Sequence, residues 1–180
     1  MRHVLALLAL ASAASAQDLP VVRDGLTPAL ADTVGTDAID GDNGRAVLRA
    51  TGQPFTGVVE DRYPSGAPRL RRSVVDGRPE GLWVEWYETG VVRYLATWSG
   101  GRGDGVWTYF HPNGEVRERA SVVADVWDGP VEGWHANGRK AFEGTHDGGQ
   151  RAGVWRFWTE GGVLDRTERY EGGELVDGSR

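Results

Sequence analysis

Apolar and polar residues alternate along short stretches of this chain, and the alternation restarts at a fixed interval. "GLWVEWYETG" at 81–90, "GVWTYFHPNG" at 105–114 and "GVWRFWTEGG" at 153–162 are versions of one phrase. Alternation with a period of two predicts half-buried β-strands, and no stretch sustains the 3.6-residue spacing of an amphipathic helix. Two glycine columns set the beat. Gly57, Gly81, Gly105, Gly129 and Gly153 lie 24 residues apart, and so do Gly66, Gly90, Gly114, Gly138 and Gly162. Five units follow: 57–80, 81–104, 105–128, 129–152 and 153–176. A fixed period in this range marks a repeat architecture, in which one unit cannot bury its own apolar face and stacks on its neighbours.

Each unit reads as a hairpin. The tetrads "PSGA", "ETGV", "PNGE", "ANGR" and "EGGV" supply a tight turn. Glycine there takes the positive φ that the turn needs, and Asn113 and Asn137 precede it in two units. The return strand then ends in a Gly/Asp-rich link that reads as looser than the turn. Strand parity puts Val92, Tyr94, Ala96 and Trp98 on one face against Arg93 and Thr97 on the other. The next unit repeats this with Val116, Ala120 and Val122 against Arg117, Arg119 and Ser121. In the outgoing strands Trp83, Trp107 and Trp155 share a face with the column Tyr63, Tyr87, His111 and His135, and are expected to pack the inner side of the sheet. The opposite parity carries Trp86, Phe110, Trp134 and Trp158. An antiparallel sheet needs only one apolar face, so this second row is the candidate binding surface.

The expected fold is all-β: an elongated antiparallel sheet of tandem 24-residue β-hairpins. About ten strands at ~4.8 Å each give a length on the order of 50 Å. Residues 43–56 look like a shortened, degenerate repeat that caps the array. Residues 17–42 are polar, aperiodic and read as a flexible leader, and 177–180 as a short tail. The first sixteen residues, "MRHVLALLALASAASA", have a basic start, a short apolar run and an Ala14-Ser15-Ala16 cleavage site. They read as a secretory signal, cleaved near Ala16, and the mature chain is expected in the periplasm or outside the cell. No later segment is apolar enough to predict a transmembrane helix.

Composition changes this picture little. Glycine supplies 27 of the 180 residues, about twice its average share, as many tight turns require. Cysteine is absent from the sequence, so an exported chain would rely on packing without disulfides. The formal net charge of −6 becomes −7 once Arg2 is removed with the signal, which argues against nucleic acid as a partner.

Motifs for chemistry are sparse. "RGD" at 102–104 falls in a link where Gly and Asp belong anyway. Asp37, Asp40 and Asp42 resemble a calcium loop, but Arg45 and Thr51 stand where an EF-hand needs Gly and Glu. His111 and His135 repeat in one column, yet two strands separate them by roughly 9–10 Å, too far to share a zinc ion with its ~2 Å bonds. His146 stands in no acidic or histidine cluster. No G-x-S-x-G or phosphate-loop motif occurs. No catalytic residue, cofactor or metal is expected.

The run "TGQPFTGVVEDRYPSG…GLWVEWYETG…GVWTYFHPNGEVRE" resembles the MORN-repeat variant of bacterial proteins, exported and antitoxin-like ones among them. The Gly-x-Trp start, aromatic middle and Asn-Gly turn all appear, and the resemblance covers 57–176. The fourth unit departs from it: Val131 replaces the tryptophan, and "EGWHANG" shifts the aromatic. The resemblance implies an interaction surface for proteins or lipids with no shared chemistry. The expected function is thus a non-catalytic module for a protein partner in the cell envelope. The alternative is a glycan-binding envelope protein that stacks sugars on the aromatic row.

Overall fold

The computed structural model describes residues 32–42 and 45–179. The signal segment and most of the expected leader lie outside the described residues. The strands are β1 Thr33–Gly35, β2 Ile39–Asp42, β3 Arg45–Leu48, β4 Gly57–Arg62, β5 Pro68–Val75, β6 Arg78–Trp86, β7 Val92–Ser99 and β8 Arg102–Gly103. They continue as β9 Gly105–Phe110, β10 Val116–Val123, β11 Val126–Trp134, β12 Lys140–Asp147, β13 Gln150–Trp158, β14 Leu164–Glu171 and β15 Glu174–Ser179. Thirteen of them form one sheet in the order β1-β4-β5-β6-β7-β9-β10-β11-β12-β13-β14-β15, with β8 also on β7. Every pair is antiparallel except β1 with β4. Each 24-residue unit supplies neighbouring strands, as the period predicts. Within the expected tail at 177–180, Asp177–Ser179 are strand, paired along β14.

Two local devices recur along the repeat, the first in all five units. At the turn the residue before the tetrad makes the same two backbone bonds. His111 N donates to Glu115 O at 2.8 Å, and Gly114 N donates to His111 O at 2.9 Å. The glycine sits at φ +90°, which closes a type I turn with a glycine bulge. The other four turn glycines fall between +79° and +86°, as the sequence predicts. The bulge leaves one extra residue in the return strand, Arg93 in β7 and Arg117 in β10. That extra residue reverses strand parity. Val92 and Val116 therefore point to the opposite face from Tyr94, Ala96, Ala120 and Val122. The one-face reading of Val92, Tyr94, Ala96 and Trp98 is corrected accordingly.

The second device explains the other glycine column from Gly81 onward. Between the pairs Arg72↔Trp83 and Val74↔Pro79, Ser73 alone faces the three residues Glu80–Leu82. Gly81 takes φ +78° in the middle of that bulge. The links are not loose either. Asp76-Gly77, Gly100-Gly101, Ala124-Asp125, Gly148-Gly149 and Gly172-Gly173 all have positive φ at both positions, the signature of two-residue type I′ hairpins.

The first unit is capped. The described part of the expected leader is not irregular: β1 pairs with β4, and β2 pairs with β3 in a separate two-stranded sheet. Phe55, Val59 and Val74 form a buried cluster there, covered by Val34, Ile39, Ala46 and Leu48. Ala46 N donates to Gly77 O at 2.7 Å and Gly77 N to Phe55 O at 2.7 Å, so the flap is tied to the first link. The cap thus begins before residue 43. Its apolar residues are too few and too widely spaced to announce strands. The parallel strand β1 also covers what would be the open edge of β4.

Candidate functional site: the two faces of the sheet

Cross-strand register assigns the faces. Trp83, Trp107 and Trp155 lie on one face with Tyr94, Trp98, Tyr109, Phe142, His146, Phe157 and Tyr170. Trp98 stands between Trp83 and Trp107, stacked on each with centroids 5.4 and 5.8 Å apart. The Arg72 guanidinium covers the Trp83 ring at 5.0 Å. Further along, Trp155 is 2% exposed and buried with Ala120 and Val131. Arg151 lies 4.3 Å from its ring centroid and donates to the Tyr170 hydroxyl at 2.8 Å. His146 sits edge-on between Trp127 and Trp155, 5.1 Å from each.

Single-layer packing of this kind needs rings to lie over backbone. A Cβ on Gly144 would fall inside the Trp155 ring, one on Gly133 inside the Phe142 ring, and one on Gly103 inside the Trp107 ring. These three glycines have no positive φ. They are glycine because an aromatic from the adjoining strand, or for Gly103 the tryptophan four residues further along the chain, occupies the space.

A polar strip crosses the same face. Glu85 faces Tyr94, Tyr94 faces Tyr109, and Tyr109 faces Glu118. The two tyrosine rings are 4.8 Å apart. Burial raises both phenols above the ordinary tyrosine value; Tyr109 and Glu85 raise Tyr94 further, whereas at Tyr109 the push from Glu118 is opposed by the hydrogen bond with Tyr94 and by the Arg117 cation. Burial likewise raises the Glu118 carboxyl, which Arg117 partly offsets. Among the described residues no group of three or more His, Asp or Glu side chains is placed to hold a metal ion.

The reverse face carries the row singled out from the sequence, and the row is not uniform. Phe110 is 1% exposed and forms a buried cluster with Val84 and Val92. It fills the core and is closed to a ligand. Trp86 packs against that cluster. The Trp134 ring has Arg119 and Lys140 each 5.5 Å from its centroid. Trp158 is half-buried and faces Leu164 across the strands.

The column that precedes the turns does something the sequence reading missed. The Tyr63 hydroxyl donates to Trp86 O, the Tyr87 hydroxyl to Phe110 O, His111 Nε2 to Trp134 O and His135 Nε2 to Trp158 O, all at 2.8 Å and all 23 residues on. Each unit is thereby latched to the next. The turns are latched too: Asn113 Nδ2 donates to Ala136 O at 2.7 Å and Asn137 Nδ2 to Glu160 O at 2.9 Å. The signal was present in the column itself, since Tyr and His share only a flat ring with a donor at its far end.

Residues 79–99 and 103–123 match the MORN repeat variant. The two matched stretches begin 24 residues apart and each runs from a link through a return strand. They are the second and third of the five units. No curated protein matches the chain. In the repeated units the recurring positions are structural. The glycines place turns and bulges, the Tyr/His column latches units, and the Gly-x-Trp tryptophans stack on the sheet. None of these roles requires a reacting group. Among the described residues no helix is long and apolar enough to cross a membrane.

Proposed function

We propose that this chain is an exported, non-catalytic repeat protein that docks a protein partner in the cell envelope through the reverse face of its last units. The observation that carries the reading is a contrast at one repeat position. Val92 in the second unit is 4% exposed beneath Phe110, whereas its equivalent Leu164 in the fifth is 50% exposed. Val163 is open beside it, with Trp158 opposite Leu164 and the open Val154 further back along the Trp158 strand on the same side. The following strand, "ELVDGS", brings no ring to cover them. An aromatic flanked by open aliphatics is the usual composition of an interface centre. Tyr63, Tyr87, His111 and His135 spend their ring donors on main-chain carbonyls of the next unit.

A glycan platform has less support. Sugar stacking needs a row of free ring faces, but within the row Phe110 is buried and Arg119 and Lys140 lie over the Trp134 ring. Export rests on the signal segment at 1–16. Cell fractionation with N-terminal sequencing tests it, Gln17 being the expected first residue. For docking, envelope extract is passed over the wild-type chain and over a Trp158→Ser/Leu164→Ser variant. Loss of a specific partner supports the proposal, and equal recovery by both forms overturns it.

A further inference from the structure

We propose that Asn113 and Asn137 are sites of spontaneous deamidation gated by the neighbouring repeat, with Asn113 the faster. Both are followed by glycine, and both are exposed to water. In an Asn-Gly step the main-chain nitrogen of the glycine, having lost its proton, attacks the asparagine Cγ. A nitrogen–carbon bond forms, the Cγ–Nδ2 bond breaks, and Nδ2 leaves as ammonia. Water then opens the five-membered succinimide at either carbonyl, giving aspartate or isoaspartate. No oxidant or metal takes part. Glycine offers no Cβ to hinder ring closure.

The fold opposes this reaction with three hydrogen bonds at each site. The attacking nitrogen is occupied: Gly114 N donates to His111 O and Gly138 N to His135 O, both at 2.9 Å. The side-chain oxygen is held by the residue two further on, Glu115 N on Asn113 and Arg139 N on Asn137, at 3.2 and 3.1 Å. The leaving nitrogen is bound to the next unit, Asn113 Nδ2 on Ala136 O and Asn137 Nδ2 on Glu160 O. The first two bonds belong to the turn itself. Only the third joins one repeat to another, so separation of the stacked turns frees the side chain.

The two gates are unequal. Arg139 Nη1 donates to Glu160 O at 3.3 Å and to Gly161 O at 2.7 Å, clamping the turn that Asn137 reaches. The corresponding residue beside Asn113 is Glu115, a carboxylate with no proton to donate. The Asn113 gate therefore opens more often. Once it reacts, a carboxylate faces the Ala136 carbonyl, two acceptors with no hydrogen between them. Isoaspartate also adds a methylene to the main chain. Each event removes the turn-to-turn bond between two repeats and leaves the His111 or His135 latch in place.

The test is a time course in mildly alkaline buffer with peptide mapping by mass spectrometry. It uses the folded chain, the same chain in denaturant, and an Arg139→Met variant. Both sites should react more slowly in the folded chain than in denaturant, and Asn113 should lead when folded but not when unfolded. Arg139→Met should speed Asn137 roughly fivefold, the equivalent of one hydrogen bond, and leave Asn113 unchanged. Equal rates folded and unfolded would overturn the gate. So would acceleration of both sites or of neither in the variant.

Discussion

His111 donates its Nε2 hydrogen to the main-chain carbonyl of Trp134, 2.8 Å away and in the next repeat. A carbonyl only accepts, so this nitrogen must carry the proton. Tyr87 makes the same bond to Phe110 one unit earlier. The position thus demands a ring of this reach with a terminal donor. His111→Tyr should be nearly neutral in stability, whereas His111→Phe strands a half-buried carbonyl and should cost about 1–2 kcal/mol. Urea denaturation of the two variants checks this. Equal loss in both would mean that the ring, not its donor, matters.

Gly144 tests the packing of ring on backbone. Its φ is ordinary, so alanine meets no conformational barrier there, only the Trp155 indole. Gly144→Ala should cost about 1–3 kcal/mol, the usual penalty for overpacking, and shift tryptophan emission as the ring moves outward. A Gly148→Ala control meets no atom within 4 Å but has φ +54°. It should leave the emission alone.

How much of this was legible in the sequence depends on what each residue answers to. The turn glycines answer to local backbone geometry, and Gly90, Gly114, Gly138 and Gly162 could be assigned positive φ from position alone. Gly133 and Gly144 answer to Phe142 and Trp155 on adjoining strands, which no local rule supplies. Face assignment failed at Val92 for a related reason, since parity counting cannot see a one-residue bulge. The aromatic row was legible as a row, but Phe110 is closed off by Val84 and Val92 from the preceding unit. A cap was expected at 43–56, but its part before residue 43 was missed because Val34 and Ile39 gain their meaning only against Phe55, Val59 and Val74.

The Ala124-Asp125 link is the one type I′ turn built without glycine, at φ +49° and +73°. Asp125 has a reason to be there: its Oδ1 accepts Gly103 N at 2.6 Å, and its own N donates to Gly103 O at 2.9 Å. Ala124 has no such partner and carries the left-handed strain uncompensated. Ala124→Asn should stabilise by about 0.5–1 kcal/mol, because asparagine enters this region more cheaply. Asp125→Asn should destabilise by a similar amount through a weaker acceptor. Thermal unfolding of both variants gives the signs directly, and opposite signs from those stated would reverse the assignment of strain.

His146 should make stability pH-dependent. Burial between Trp127 and Trp155, and then the nearby Arg151 cation, lower its pKa below the ordinary histidine value. The unfolded chain therefore takes up a proton at a pH where the folded chain does not. Stability is fully present above about pH 6.5, the unfolded value, and falls as pH drops through the window down to the folded value. Glu118 has the opposite sign, since its raised pKa relieves a buried charge as pH falls. The difference between wild type and His146→Gln isolates the histidine. Denaturation midpoints of the two should run parallel above that value and converge or diverge only below it, with wild type losing more.

Gly114 and Gly101 decide whether the links are as demanding as the turns. Their φ values are +90° and +87°. Gly114 closes a turn latched to its neighbour through Asn113. Gly101 closes a two-residue link, and a Cβ there would meet Arg78 Cβ at 3.3 Å. The sequence alone made the link look tolerant; the backbone makes it equally strict. Valine at either position should cost on the order of 1–3 kcal/mol. Because units contact mainly their neighbours, the damage should stay local. In hydrogen exchange, Gly114→Val should lower protection across 105–128 and its flanks, and Gly101→Val across the strands on either side of that link. Protection in 153–176 should persist in both. Uniform loss along the sheet would mean that the thirteen strands melt as one cooperative body, and a near-neutral Gly101→Val would restore the tolerant link.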